Sequence, residues 1–237
     1  MKIINNHIKI SAFMLFALLT LALSGCKDLD NYDAPAGGLH GTIMDASTNE
    51  PIPLPVQGSS GVIINLFEQN TSATKSIDFY AKDNGTYENS QVFNGEYRVV
   101  VNGPFVQVAE NTVVVKGQTE LNFTAVPYSR IEATAVAAGK SVTVTYKVTP
   151  SSPEFKTTEV YGYWNFAPGI DNSGSNYAEK LTSANVTGTM GFNLENSSVF
   201  KSNLYKITNN GNKVYFRMGA KTNGVINYSK TVEIVLQ

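Results

Sequence analysis

The sequence predicts an all-β protein built from two β-sandwich domains in tandem behind a short leader. Three observations lead there. No stretch carries helical periodicity of useful length. The 237 residues include 12 Tyr and 12 Phe, with many Val and Thr, which are the residues that fit a pleated, half-buried surface. Turn formers recur at spacings that leave room only for short strands. The length remaining after a 25-residue leader suits two domains of roughly 100 residues each.

The leader is a lipoprotein signal peptide. Met1 to Lys9 is a short polar segment carrying Lys2 and Lys9, and Ala12 to Leu23 is apolar but too short to cross a bilayer. Leu23-Ser24-Gly25-Cys26 then reads as a lipobox around the only cysteine of the chain. Cleavage after residue 25 gives a signal peptide over 1–25 and a lipidated tether over 26–37, with the lipid bilayer held through acylated Cys26. The alternative is an ordinary secretory signal or uncleaved anchor, with Cys26 a leftover thiol. Lys27, Asp28 and Asp30 follow the cysteine directly. A basic residue and then acids at that point resembles the surface-export signal of Bacteroidetes lipoproteins; equally, these charges suit a solvated tether. The three acids Asp28, Asp30 and Asp33 lack the glycine and terminal glutamate of an EF-hand loop, so no metal is assigned.

Composition excludes several function classes. There are 18 basic and 19 acidic residues, and losing Lys2 and Lys9 with the leader leaves 16 against 19. No basic stripe exists for nucleic acid. With one cysteine no internal disulfide can form. Of the two histidines, His7 lies in the leader and His40 in the first expected strand, as a surface or edge residue. One histidine cannot serve a nucleophilic triad and a zinc site as these are usually built. A carboxylate-pair glycosidase needs only two spaced acids, but the acids here are scattered singly along the chain, and no catalytic residue or cofactor is assigned.

Residues 38–127 form the first domain. Leu39 to Met44 reads as a strand, Gly61 to Phe67 as a second with Val62, Ile64 and Leu66 on one face, and Ile77 to Ala81 as a third. Asp83-Asn84-Gly85 is a hairpin turn, since Asn-Gly readily takes positive φ. Glu96 to Val101, Asn111 to Val115 and Leu121 to Val126 complete a sandwich-like spacing. Gly41-Thr42-Ile43-Met44-Asp45, Thr48 to Ile52, Asp83 to Tyr87 and Gly95 to Val99, in that order, resemble the carboxypeptidase-regulatory, transthyretin-like β-sandwich. In that pattern Tyr87 and Tyr97 plug the core. Related adhesin modules can carry a Lys–Asn isopeptide bond, but the first strand here has no lysine and none is expected.

Pro127-Tyr128-Ser129-Arg130 marks the boundary, and 128–237 form the second domain. Ile131 to Val136, Ser141 to Thr149, Glu159 to Phe166, Val199 to Thr208, Lys213 to Thr222 and Lys230 to Leu236 are the expected strands. This half resembles an immunoglobulin or fibronectin type III fold. From lipobox to Gln237 the chain resembles a family of uncharacterised Bacteroidetes lipoproteins that pair these two domains. The resemblance implies a place in glycan-uptake loci beside a TonB-dependent outer-membrane transporter and its starch-utilisation-type lipoprotein partner, lipid-anchored in the outer membrane and facing outward. It supplies no catalytic residues to transfer.

Candidate ligand-binding residues cluster in the second domain. In Tyr161-Gly162-Tyr163-Trp164-Asn165-Phe166, strand alternation turns Trp164 and Phe166 to the core and Tyr161 and Tyr163 outward, where exposed rings could stack on sugars. Pro168 to Ser198 is rich in Gly, Asn and Ser and reads as a long loop, with Asp171, Asn172, Asn176 and Tyr177 able to bond hydroxyls. Asn102-Gly103-Pro104-Phe105 is a second loop with an aromatic at its tip. The expectation is a non-catalytic surface component that binds glycan beside a transporter. The alternative is a structural spacer or protein-docking module.

Overall fold

The computed structural model describes residues 33–58 and 61–237. Residues 1–25 and the lipidation and export assignments at Cys26, Lys27, Asp28 and Asp30 lie outside the described residues. The chain divides into two compact units, Met1–Ala34 and Pro35–Gln237. Of the first, only Asp33 and Ala34 are described, both exposed; all that follows concerns the second.

The first sandwich comprises β1 (Gly37–Asp45), β2 (Ile63–Glu68), β3 (Ile77–Tyr80), β4 (Thr86–Val92), β5 (Gly95–Asn102), β6 (Phe105–Val106), β7 (Asn111–Val115), β8 (Gln118–Glu120) and β9 (Phe123–Pro127). One sheet runs β4-β1-β9-β6, with β8 also beside β1; the other runs β3-β2-β5-β7. Between them Leu39, Ile43, Val62, Ile64, Leu66, Tyr87 and Tyr97 are buried, so the expected faces and the two core tyrosines are observed. The Asp83-Asn84-Gly85 turn is made by Gly85 at φ +87°, with Thr86 N–H bonded to Asn84 Oδ1. At Gly41 a Cβ would come within 1.9 Å of the Leu121 carbonyl oxygen, so only glycine admits the β8–β9 connection there. His40 is half-buried on β1, which is interior to its sheet; the edge placement is corrected, because β8 and β9 return beside β1.

The second sandwich comprises β10 (Ser129–Ala138), β11 (Ser141–Pro150), β12 (Thr157–Asn165), β13 (Glu179–Ser183), β14 (Thr187–Asn193), β15 (Lys213–Thr222), β16 (Val225–Tyr228) and β17 (Val232–Val235). The sheet β10-β11-β14 packs on β13-β12-β15-β16, and β17 continues along β15. Val142, Val144, Tyr146 and Val148 share the buried face of β11, and Trp164 lies in the same core with Phe166 packed against it.

Two expectations in this half are corrected. The segment Val199 to Thr208 is helical rather than a strand: a short 3-10 turn (Leu194–Asn196) leads into α1 (Ser198–Ser202) and α2 (Leu204–Asn209). Ser197 caps α1, its Oγ accepting from Phe200 N–H, and the two buried residues Phe200 and Ile207 lie seven apart, a helical repeat. The stretch from Pro168 to Ser198 is not one loop, since it contains β13 and β14. Met190, Phe192 and Leu194 alternate inward against exposed Thr189, Gly191 and Asn193, a strand period that the surrounding Gly, Asn and Ser conceal.

The sandwiches meet along a polar seam. Arg217 on β15 is 1% exposed. It donates from Nη2 to the Leu54 carbonyl of the first domain (2.8 Å), from Nη1 to Ile170 (2.6 Å) and from Nε to Ser229 (2.8 Å). Its guanidinium lies 4.8 Å from the Tyr228 ring centroid. Burial draws its pKa below the ordinary value, opposed by Asp83 and Asp171. Arg130 Nε and Nη2 grip both oxygens of Asp45 at 2.6 and 2.7 Å, and Asn227 Nδ2 donates to the Pro104 carbonyl at 2.6 Å. Burial raises the Asp45 pKa, but Arg130 and the backbone N–H groups of Ser47 and Thr48 together outweigh it and hold the carboxyl below its usual range. The Lys230–Glu50 pair is exposed and stabilises little. Replacing Arg217 by Met leaves buried carbonyls without donors and is expected to destabilise the chain by roughly 3 kcal/mol. Urea denaturation would read this as a lowered midpoint; an unchanged midpoint would mean that water reaches those carbonyls.

Candidate ligand-binding site

The residues nominated by the sequence do come together, but they bond to one another. β12 turns Tyr161 and Tyr163 to the outer face of its sheet, as alternation requires. There they meet Tyr215 and Tyr228 under Ile170, with Tyr177 packed alongside. Tyr161 is 7% and Tyr163 0% exposed, so the expectation of two exposed stacking rings is corrected. The cause is the 168–178 segment, which folds back over them; alternation gives the direction of a side chain and not what lies above it. Tyr163 is ringed by Tyr161, Tyr177 and Tyr228 at 6.0, 5.6 and 6.4 Å between centroids.

The hydroxyls are satisfied within the cluster. Tyr161 donates to Glu159 Oε2 at 2.6 Å and Tyr163 to Asn172 Oδ1 at 3.1 Å. The Asn172 N–H donates to the Tyr228 oxygen at 3.0 Å. Lys180 Nζ reaches Asn172 Oδ1 and stands 5.3 Å from the Tyr161 ring centroid. Asp171 is fully buried; its Oδ1 accepts from Ser173 N–H and Asn176 Nδ2, and its Oδ2 from Val56 N–H of the first domain at 3.0 Å. Asp171 and Asn176 therefore shape the loop and tie it across the seam. Tyr177 is half-buried.

Of the clefts along this seam, two bear on the loops and strands above. The first, about 670 Å³, joins both loops that the sequence singled out: Asn102-Gly103-Pro104 on one wall and Asn172-Ser173 on the other. Val225, Ile226 and Ile63 supply its apolar surface, and none of the described residues that line it is charged. Amide and hydroxyl groups over aliphatic carbon can bond sugar hydroxyls and pack against sugar C–H faces. Phe105 is not at the loop tip: it is 5% exposed and belongs to the first core, because a tight turn with Phe105 N–H bonded to Gly103 C=O swings it inward. The second cleft, about 350 Å³, lies between Pro51–Pro53 and the start of β10 and includes Asp45, Glu50, Glu132 and Lys230. Val225, Ile226 and Ile63 carried no sequence signal, since what makes them lining residues is contact between segments more than a hundred positions apart.

Residues 37–126 match the family model described as "Protein of unknown function (DUF3823) N-terminal domain", and residues 128–233 match "Domain of unknown function (DUF3823_C)". A DUF3823 family protein from Parabacteroides merdae has a TM-score of 0.70 at 22% identity, over 86% of this chain and 100% of its own. One from Bacteroides uniformis gives 0.68 at 19%, over 86% and 100%. A candidate carbohydrate-binding protein from Bacteroides uniformis gives 0.64 at 23%, over 85% and 100%. At these identities the likeness shows a shared fold. No curated protein matches the chain.

The tyrosine cluster gives a pH dependence. Burial first, then Glu159, pushes Tyr161 up to about 12. Burial also pushes Tyr228 up to about 12, with Asn172 opposing, and raises Tyr163 further. An unfolded tyrosine ionises near pH 10. The folded chain thus keeps protons that the unfolded chain releases, so the cluster's contribution is complete below pH 10 and falls as pH rises toward 12. Urea midpoints measured across that window should decline, with part of the tyrosinate absorbance appearing only on unfolding. Ionisation of all 12 tyrosines near pH 10 without loss of stability would contradict the buried cluster.

Proposed function

The chain belongs to the DUF3823 family, whose domains are of unknown function, and from that premise we propose that it is a non-catalytic accessory component binding neutral glycan at the cell surface. The observation that carries this reading is the groove between Asn102-Gly103-Pro104 and Asn172-Ser173. Its walls come from both sandwiches, whose seam is held by Arg217 and Asp171, so the groove is formed before any ligand arrives and less ordering is needed on binding. Its uncharged lining suits a ligand rich in hydroxyls and without carboxylate or sulfate groups. Recognition rests on amides and aliphatic surface with Tyr228 at its side, because the rings of Tyr161 and Tyr163 are covered.

In this reading acylated Cys26 holds the protein in the outer membrane, Lys27, Asp28 and Asp30 direct it to the outer surface, and a TonB-dependent transporter with its lipoprotein partner takes up what it retains. A second reading, a spacer that holds a partner away from the bilayer, is favoured by one observation: a seam of buried, fully bonded polar groups fixes the two sandwiches as one body.

Two experiments test these statements. Affinity electrophoresis of the detergent-solubilised full chain against neutral polysaccharides should show retardation, lost in Ser173→Trp and Val225→Trp, which fill the groove from two separate lining positions. No retardation of the wild type would move the assignment to the spacer. Cys26→Ser should abolish incorporation of radiolabelled palmitate and release the protein from the membrane fraction; continued labelling would remove the lipid anchor from the reading.

A further inference from the structure

β10 is an edge strand whose first half, Ser129 to Thr134, opens onto the second cleft, with β15, β16 and β17 packed close to the strand. It pairs only with β11, from Ser129↔Pro150 to Ala138↔Ser141. At its start the alternation of an antiparallel ladder is visible. Ser151 N–H donates to the Tyr128 carbonyl on the β11 side, whereas Ser129 N–H turns away and donates to Asn227 Oδ1. Continuing that alternation, Arg130, Glu132 and Thr134 bond toward β11, and the N–H and C=O groups of Ile131, Ala133, Ala135 and Ala137 face outward. Among the described residues none of these outward groups has a hydrogen-bond partner.

Natural edges are usually blunted by lysine, proline, a bulge or a covering segment. From Ile131 to Ala138 this edge has no proline or lysine, no bulge interrupts its register, and Val136 on its outer face is 71% exposed. Arg130 to Thr134 form one side of the 350 Å³ cleft, and Pro51–Pro53 stand across from them. That opposite wall makes the start of the edge one side of a cleft rather than an open flat surface. The charges favour a basic occupant. Asp45 is neutralised by Arg130 and Glu50 by Lys230, while exposed Glu132 has no ion pair among the described residues, so the cleft carries one excess carboxylate.

We infer that the β10 edge is a docking site for an extended segment of a partner protein, which adds as a further strand beside Ile131 and Ala133 and places a basic side chain at Glu132. Main-chain bonds supply the affinity and the pockets beside the strand select the side chains, as in other cases of strand addition. The inference is independent of the glycan reading, since the two clefts share only Tyr228.

The test uses a blocked pentapeptide alternating valine and arginine, and its counterpart with glutamate for arginine, titrated into the detergent-solubilised full chain. The arginine peptide should bind and slow amide exchange at Ile131 and Ala133. Ala133→Pro deletes an outward N–H that β11 does not use, so it is expected to keep the fold and weaken binding at least about tenfold. Glu132→Lys, which changes no backbone group, should reverse the preference between the two peptides. Equal binding by wild type and both variants, or no slowed exchange at Ile131 and Ala133, would overturn the inference. A dimer of the full chain that Ala133→Pro dissociates would assign the edge to a second copy and overturn it equally.

Discussion

Arg217 is a full positive charge placed where almost no water reaches it, and the arrangement around it decides how the two halves of the molecule meet. An isolated buried cation is costly. This one is compensated by backbone carbonyls of Leu54, Ile170 and Ser229 and by the face of Tyr228. Carbonyl oxygens are fixed by the backbone, so satisfying the guanidinium fixes three chain segments at once: the 51–56 connection of the first sandwich, the 168–178 segment of the second, and the junction of β16 and β17. The 51–56 connection and the 228–230 stretch contribute to both clefts, and the 168–178 segment to the larger one. The shape of these clefts is thus a consequence of how one buried charge is satisfied.

Asp171 works in the opposite sense from the same segment. A buried carboxylate accepts from Val56 N–H across the seam while also organising Ser173 and Asn176. The two charged groups sit in adjoining structure, and each uses the other domain's backbone as partner. A seam of this kind need not outdo a hydrophobic one in stability, because burying ionic groups costs what their bonds return. What it does impose is geometry: guanidinium and carboxylate bonds are directional, whereas an apolar interface would allow the sandwiches to slide. The tyrosine layer beneath the loop has the same character, with hydroxyls bonded to Glu159 and Asn172.

Architecture was legible in the sequence wherever one face of a strand is buried. Val62, Ile64 and Leu66, or Val142 to Val148, announce their faces through period two, and Asn84-Gly85 announces its turn through the chemistry of positive φ. β14 carries an equally regular pattern in Met190 and Phe192, continued by Leu194 just past its end, yet its outward residues are the small polar types that also make loops. The helices at Ser198–Asn209 are too short for periodicity to separate from strand alternation without the Ser197 cap. The site was legible in part. Tyr161, Tyr163, Asp171, Asn176 and Tyr177 were nominated together and lie together, but as a packed layer under their own loop. Nothing local distinguishes an asparagine that bonds a ligand from one that, like Asn172, bonds a tyrosine nine positions away.

The same limit explains why Asn102 and Asn172 became a pair only in three dimensions. Each sits in a loop whose composition permits binding or mobility alike, and neither loop is a site alone. The seam brings them to opposite walls of one groove, and it does so with groups, Arg217 and Asp171, that take no part in the groove's surface. A substitution in the seam should therefore alter ligand retention without touching a lining residue, through the relative position of the walls. Substitutions in the groove should leave the seam intact. That asymmetry follows from having the supporting bonds buried on one side of the loops and the polar lining exposed on the other, and it separates a binding module from a spacer, in which only the first class of change would matter.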